Sequence, residues 1–162
     1  RFRVSAPARP SDYWFWIDHA RRAPGVLVLP LPPSPNRIKT HPLQVHRLKR
    51  AYQREAWIAA CSCEKPPRDP PEHVTVRADF YVKNRRDEDG LTASLKWTLD
   101  CLRQRQDDGG GWRVYNGAGL YDQCGWFVDD DPAHCTLEKP TQAIDRKYPR
   151  VEVYVTALSS TA

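Results

Sequence analysis

Asp87, Glu88 and Asp89 follow the basic pair Arg85-Arg86, and a second acidic run, Asp129-Asp130-Asp131, comes later in the chain. If extended backbone reaches Asp89, Asp87 and Asp89 project to the same side. Two carboxylates held that close repel each other unless a cation lies between them. Hard oxygen donors suit Mg²⁺, with Mn²⁺ as the other candidate. Such an ion activates water and stabilises the charge that builds on a phosphodiester under attack. A third carboxylate must come from elsewhere in the fold, and Asp130 is expected to supply it, with Asp129 or Asp131 as neighbours that could take its place. Lys96 lies about two helical turns beyond Asp89, where its amine could reach a phosphate or a leaving oxygen. A plainer reading stands beside this one. Asp89 then caps the following helix, and Lys96 forms an i,i+4 pair with Asp100 worth a few tenths of a kcal/mol.

Several elements must position these groups. Val26 to Leu29 is a short apolar run that reads as a buried strand. The proline-rich segment Pro30 to Arg37 follows, which cannot lie inside a helix or strand and is expected to be a stiff loop that fixes Asn36 and Arg37. Arg47 to Ala60 reads as a helix with Leu48, Ala51, Tyr52, Ala56 and Ala59 as its apolar stripe. Arg47, Lys49, Arg50 and Arg54 load its other side. His73 to Val82 alternates, with Val74, Val76, Ala78, Phe80 and Val82 on one face, as a half-buried strand does. Leu91, Leu95, Leu99 and Leu102 mark a second helix, and Val151 to Val155 a last strand. No internal repeat is present.

The 162 residues suit one domain with a real core. A formal charge of +5 and a pI near 9.0 favour a polyanionic partner. The five cysteines are odd in number and irregular in spacing, which argues against a disulfide framework and for free thiols in a reducing cytosol. Cys124, His134 and Cys135 lack the paired knuckles of a zinc site. No apolar run is long enough to span a membrane, and no signal-peptide core is seen near the first residues. Methionine is absent, and the natural start is expected to lie upstream of Arg1. Residues 1–24, rich in proline and arginine around Tyr13-Trp14-Phe15-Trp16, read as an N-terminal arm on a domain of residues 25–162.

The order of motifs resembles the RusA family of Holliday junction resolvases. The resemblance rests on Pro33-Ser34-Pro35-Asn36-Arg37, then Ala51-Tyr52, then Arg86-Asp87-Glu88-Asp89-Gly90-Leu91. It continues through Lys96 with Asp100-Cys101-Leu102, Trp126-Phe127-Val128-Asp129-Asp130, a strand bearing Lys139, and the terminal strand. It covers roughly residues 26–158. The resemblance implies an α+β fold, a mixed β-sheet packed with helices in a single dimeric domain. It implies an Mg²⁺-dependent endodeoxyribonuclease of bacterial cytoplasm, phage- or prophage-encoded, that acts in DNA recombination and repair. Such an enzyme resolves four-way junctions by paired symmetric nicks, with no small-molecule cofactor. Asp87, Asp89 and Asp130 would be metal ligands, with Asp129 adjacent, and Lys96 the catalytic or phosphate-contacting lysine. Asn36, Arg37, Lys49, Arg50, Arg85 and Arg86 would meet the DNA backbone. Gly90 stands where the family carries asparagine, Lys96 falls about one turn late, and Arg103 to Cys124 is longer than the family norm. The alternatives are a nuclease for other branched or flap DNA, and a junction-binding module with a weak site. An interaction domain built on the aromatic arm is a further reading.

Overall fold

The structure is a computed structural model that describes residues 25–34, 36, 38–67, 69–103 and 125–158. The N-terminal arm, Arg37 and residues 104–124 of the insertion lie outside the described residues. Strand β1 spans Val26–Pro30, helix α1 Pro42–Cys63, β2 Val74–Val82 and helix α2 Glu88–Leu102. Three strands follow, β3 Cys135–Leu137, β4 Thr141–Ile144 and β5 Arg150–Ala157. The class is α+β, with a single mixed sheet and two helices among the described residues.

The sheet runs β1-β5-β2-β3, and β4 also pairs with β2 beyond β3. β5 is antiparallel to both β1 and β2, so β1 and β2 run parallel with β5 inserted between them. β1-α1-β2 is therefore a split crossover unit. β3 and β4 lie parallel to β2, in line along its open edge. Lys139 falls between these two short strands rather than on one.

The alternation expected of β2 is present: Val74, Val76, Ala78, Phe80 and Val82 are buried. They form one core with Leu27, Leu29, Val151, Val153 and residues of both helices. The face of β2 away from that core is ionic. Arg77 stacks over Tyr154 at 4.0 Å and Arg150 over Tyr81 at 3.7 Å. Arg150 also donates to Glu152 at 2.7 Å and to Asp145 at 2.8 Å. The outer edge of β1 is closed by Cys63, whose Sγ accepts from Val28 N and donates to Val28 O.

Both helices start earlier than their apolar periodicity implies. α1 begins at Pro42, whose missing N–H falls where a helix has no partner for it, and His41 caps it by accepting from Leu43 N. Its buried face is Tyr52, Gln53, Ala56, Ala59 and Ala60, while Leu48 and Ala51, expected on that stripe, turn outward. The rotation lets the Tyr52 hydroxyl meet Thr98 Oγ1 at 3.0 Å across the seam with α2.

Candidate active site

The segment after β2 is held from three directions. Gln142 of β4 accepts from Arg86 N at 3.0 Å and donates to Arg86 O at 2.8 Å, as a strand backbone would. The Arg86 guanidinium turns inward, donating to Ser94 Oγ and to Pro32 O, both at 2.6 Å. Expected to grip DNA, Arg86 instead ties the proline loop to α2, because its stem leaves the chain on the packed side. Arg85 is the outward member of the pair.

Helix α2 begins at Glu88, so Asp87 and Asp89 do not share one side of an extended strand. Asp87 is the N-cap, its Oδ1 accepting from Gly90 N at 2.9 Å. A Cβ on residue 90 would lie 2.3 Å from that oxygen and 3.4 Å from Ser34 Oγ. Glycine here lets the Asp87 carboxylate and Ser34 approach the helix start closely. Asp89 sits in the first turn, exposed, with no hydrogen bond or ion pair among the described residues. Glu88 pairs with Lys139 at 2.6 Å, which holds its carboxyl below the usual range. Carboxylates at this end are favoured by the helix dipole.

The other half of α2 carries a second charged group. Asp100, its side chain 5% exposed, accepts from Lys49 of α1 at 2.6 Å and faces Lys96 at 3.5 Å. Lys96 also donates to Asp130. Arg103 donates to Asp129 at 2.7 Å and lies 3.4 Å from both Asp130 and Asp100. Its Nε and Asp100 Oδ1 are within ion-pair range yet miss hydrogen-bond geometry, leaving both buried atoms without a hydrogen bond.

What brings Asp129 and Asp130 here is the root of the insertion. Trp126 N donates to Leu102 O at 2.9 Å and Arg103 bridges Phe127, so the chain returns to the point where α2 ends. Partial burial disfavours the Lys96 ammonium, but Asp130 and Asp100 outweigh this and raise its pKa. Burial likewise opposes ionisation of Asp129, and the Arg103 hydrogen bond and the Asp130 N–H reverse it, holding the carboxyl below its ordinary value. Burial with the charges of Asp130 and Asp131 pushes the Cys135 thiol up to about 11.

Of the residues expected to form the site, the structure brings Lys96, Asp129 and Asp130 together. Asp131 is turned away to His134, at 2.7 Å. Asp87 and Asp89 stand at the other end of the same helix, and no contact among the described residues joins them to Asp130. Lys49, expected at the DNA backbone, is an internal partner of Asp100 instead. Arg50 and Asn36 are exposed. Arg103 was not singled out by sequence, although it lies three residues past Asp100 on the same helical face.

No family model, curated protein or solved structure matches this chain. Among the described residues, no three His, Cys, Asp or Glu side chains form a group that could hold a metal ion. The donor chemistry nevertheless suits a hard cation. Asp89 has no partner among the described residues, whereas Asp130 is already neutralised by Lys96 and Arg103, and the expected ligands do not converge in this structure.

Proposed function

We propose that this protein is a structure-specific endodeoxyribonuclease that resolves four-way DNA junctions by paired symmetric nicks, with a RusA-like fold and a homodimeric assembly. One observation carries the reading. Lys96 and Asp130, singled out from sequence as phosphate-contacting lysine and third carboxylate, form an ion pair across a separation of 34 residues. A mixed sheet with two helices and a basic chain agree with it.

The reading takes Asp87, Asp89 and Asp130, with Asp129 beside it, as ligands of Mg²⁺ or Mn²⁺, although in this structure Asp87 and Asp89 lie at the far end of α2 from Asp130 and Asp130 is engaged by Lys96 and Arg103. That ion would supply Lewis-acid stabilisation of the phosphoryl charge and a more acidic water. Lys96 is placed to exchange its Asp130 partner for a non-bridging phosphate oxygen. Asp100 and Lys49 keep the Lys96 turn anchored to α1. Arg103 holds Asp129 and Asp130 in place, and the Gln142 clamp on Arg86 fixes the backbone leading into Asp87. Arg85 and Asn36 are exposed and would meet the DNA backbone. Two copies related by a two-fold axis would match the symmetry of the junction. No described helix is long and apolar enough to cross a membrane. A bacterial cytoplasmic setting, encoded by a phage or prophage, belongs to the same proposal.

The test is nicking of a fixed four-way junction, in Mg²⁺ and in EDTA, beside linear duplex and flap substrates. Paired metal-dependent nicks confined to the junction are the expected result. Equal cutting of flap and junction would replace this reading with a broader nuclease. A second reading has its own support: Lys49, Lys96 and Arg103 already balance Asp100, Asp129 and Asp130. Such a self-neutralised cluster suits a junction-binding module, and binding without cutting in either Mg²⁺ or Mn²⁺ would favour it.

A further inference from the structure

The basic residues of α1 divide into two sets that the sequence presents as one. Lys49 faces inward to Asp100. Arg47, Arg50 and Arg54 are exposed and make no ion pair among the described residues. Among the described residues the other basic side chains divide: Lys39, Lys65, Lys83, Arg85, Arg146 and Lys147 also make no ion pair, whereas five are paired. Lys96, Arg103, Lys139 and Arg150 all have carboxylate partners, as does Arg77.

At about 100° per residue the three arginines fall on one line, on the side of α1 opposite Tyr52, Ala56 and Ala59. The line is about 10 Å long at 1.5 Å rise per residue. One DNA strand presents a phosphate about every 3.4 Å of helix axis, so the ridge spans roughly three phosphates. No acidic residue of α1 interrupts it. Guanidinium groups suit phosphate oxygens better than ammonium groups do, because each can donate two parallel hydrogen bonds. The ridge also lies well round the helix from Lys49, the α1 residue that touches the Asp100 cluster. A duplex lying along the ridge is therefore a different stretch of backbone from the one at Lys96 and Asp130.

We infer that Arg47, Arg50 and Arg54 form a second nucleic-acid contact, one that takes the phosphodiester backbone of a duplex arm away from the cutting site. The inference rests on the proposed nuclease reading for its ligand class, but it makes a claim of its own. The ridge contributes sequence-independent, salt-sensitive affinity and no catalysis.

Binding of labelled duplex and four-way junction in EDTA, across a series of salt concentrations, tests this. With R47Q/R50Q/R54Q, log affinity against log salt is expected to flatten by roughly 2 to 3, about 0.9 per lost phosphate contact. Glutamine is a good helix former, which guards against unfolding of α1. R47K/R50K/R54K is expected to restore most of the slope because it restores the charge, and it gives a second test should the glutamine variant fold poorly. An unchanged slope in a folded glutamine variant overturns the inference. So does unaltered DNA binding with lost binding to a polyglutamate peptide, which would assign the ridge to an acidic protein. The two readings fail separately. Metal-dependent junction nicking with a ridge-independent slope removes the ridge alone, whereas a ridge-dependent slope without nicking removes the nuclease alone. Failure of the wild-type protein to bind DNA removes both.

Discussion

Lys96 and Asp130 carry the functional reading, and their contact separates two roles for the lysine. A lysine that acts on the transferring phosphoryl group lowers turnover when removed, whereas a binding lysine lowers affinity alone. For Lys96→Ala, turnover on junction DNA is expected to fall at least tenfold with little change in affinity, read from single-turnover nicking and anisotropy. Asp89→Asn should abolish nicking yet bind junctions at least as tightly, since a negative charge near phosphate is lost. Retained cleavage would remove Asp89 from the site. Gly90 admits a finer test. Alanine inside a helix is favoured over glycine by up to ~1 kcal/mol. A Cβ there would instead strike the Asp87 carboxylate, whose cap is worth about 1 kcal/mol. Gly90→Ala is therefore expected to give no gain alone but a gain of up to ~1 kcal/mol once Asp87→Ala has removed the obstacle. Urea denaturation of the four proteins reads this coupling directly, and equal effects of Gly90→Ala in both backgrounds would contradict the close contact.

Between elements, the joint that matters is the seam of α1 and α2. Tyr52 with Thr98, and Lys49 with Asp100, join the helices next to the charged cluster. Asp100 is almost fully buried and faces three cations. Removing its charge leaves Lys49 and Arg103 without their shared anion. Breaking one partner of a buried pair costs roughly 3 kcal/mol or more. Lys49 and Arg103 are partly exposed, so solvent screening brings the expected cost of Asp100→Asn below that range, to about 2 kcal/mol. The denaturation midpoint should shift with an unchanged m-value. A cost below about 0.5 kcal/mol would mean that the seam is held by apolar packing alone. The apolar face of β2, the presence of β1 and β5 and the existence of both helices were legible from apolar runs and from period-2 and period-3.6 patterns. The caps were not. Asp87 rather than Asp89 caps α2, with Gly90 leaving room for its carboxylate.

For the whole molecule, pH reports on the carboxylates that the fold has drawn towards cations. Asp129 is held low by Arg103 and the Asp130 N–H against the effect of burial. Asp145 is held low first by the Tyr148 N–H and also by Arg150, again against desolvation. A carboxyl whose folded pKa is depressed contributes stability fully present above its unfolded value, near 4, and lost as pH falls through the lower folded value. Thermal stability is therefore expected to hold from neutral pH to about 5 and to drop steeply below 4. Asp145→Asn should flatten that drop, and an acid limb identical to wild type would show that Asp145 is not linked to folding.

Sequence alone determined what depends on neighbours along the chain. Alternation in β2, the leucine spacing in α2 and the proline block before α1 each act over a few residues, so their structural consequences are local. The acidic runs and Lys96 were also visible as residue types fit for phosphate chemistry. Tertiary structure decided which of them meet. Lys96 reaches Asp130 because the insertion returns to the end of α2 at the Arg103–Phe127 bridge. Arg86 and Lys49 turn inward while Arg85 and Arg50 stay outside, since one residue of rotation separates packed from solvated faces. Arg103 joins the cluster for the same reason: long-range ion pairs depend on where a chain comes back to, and no local pattern encodes that return.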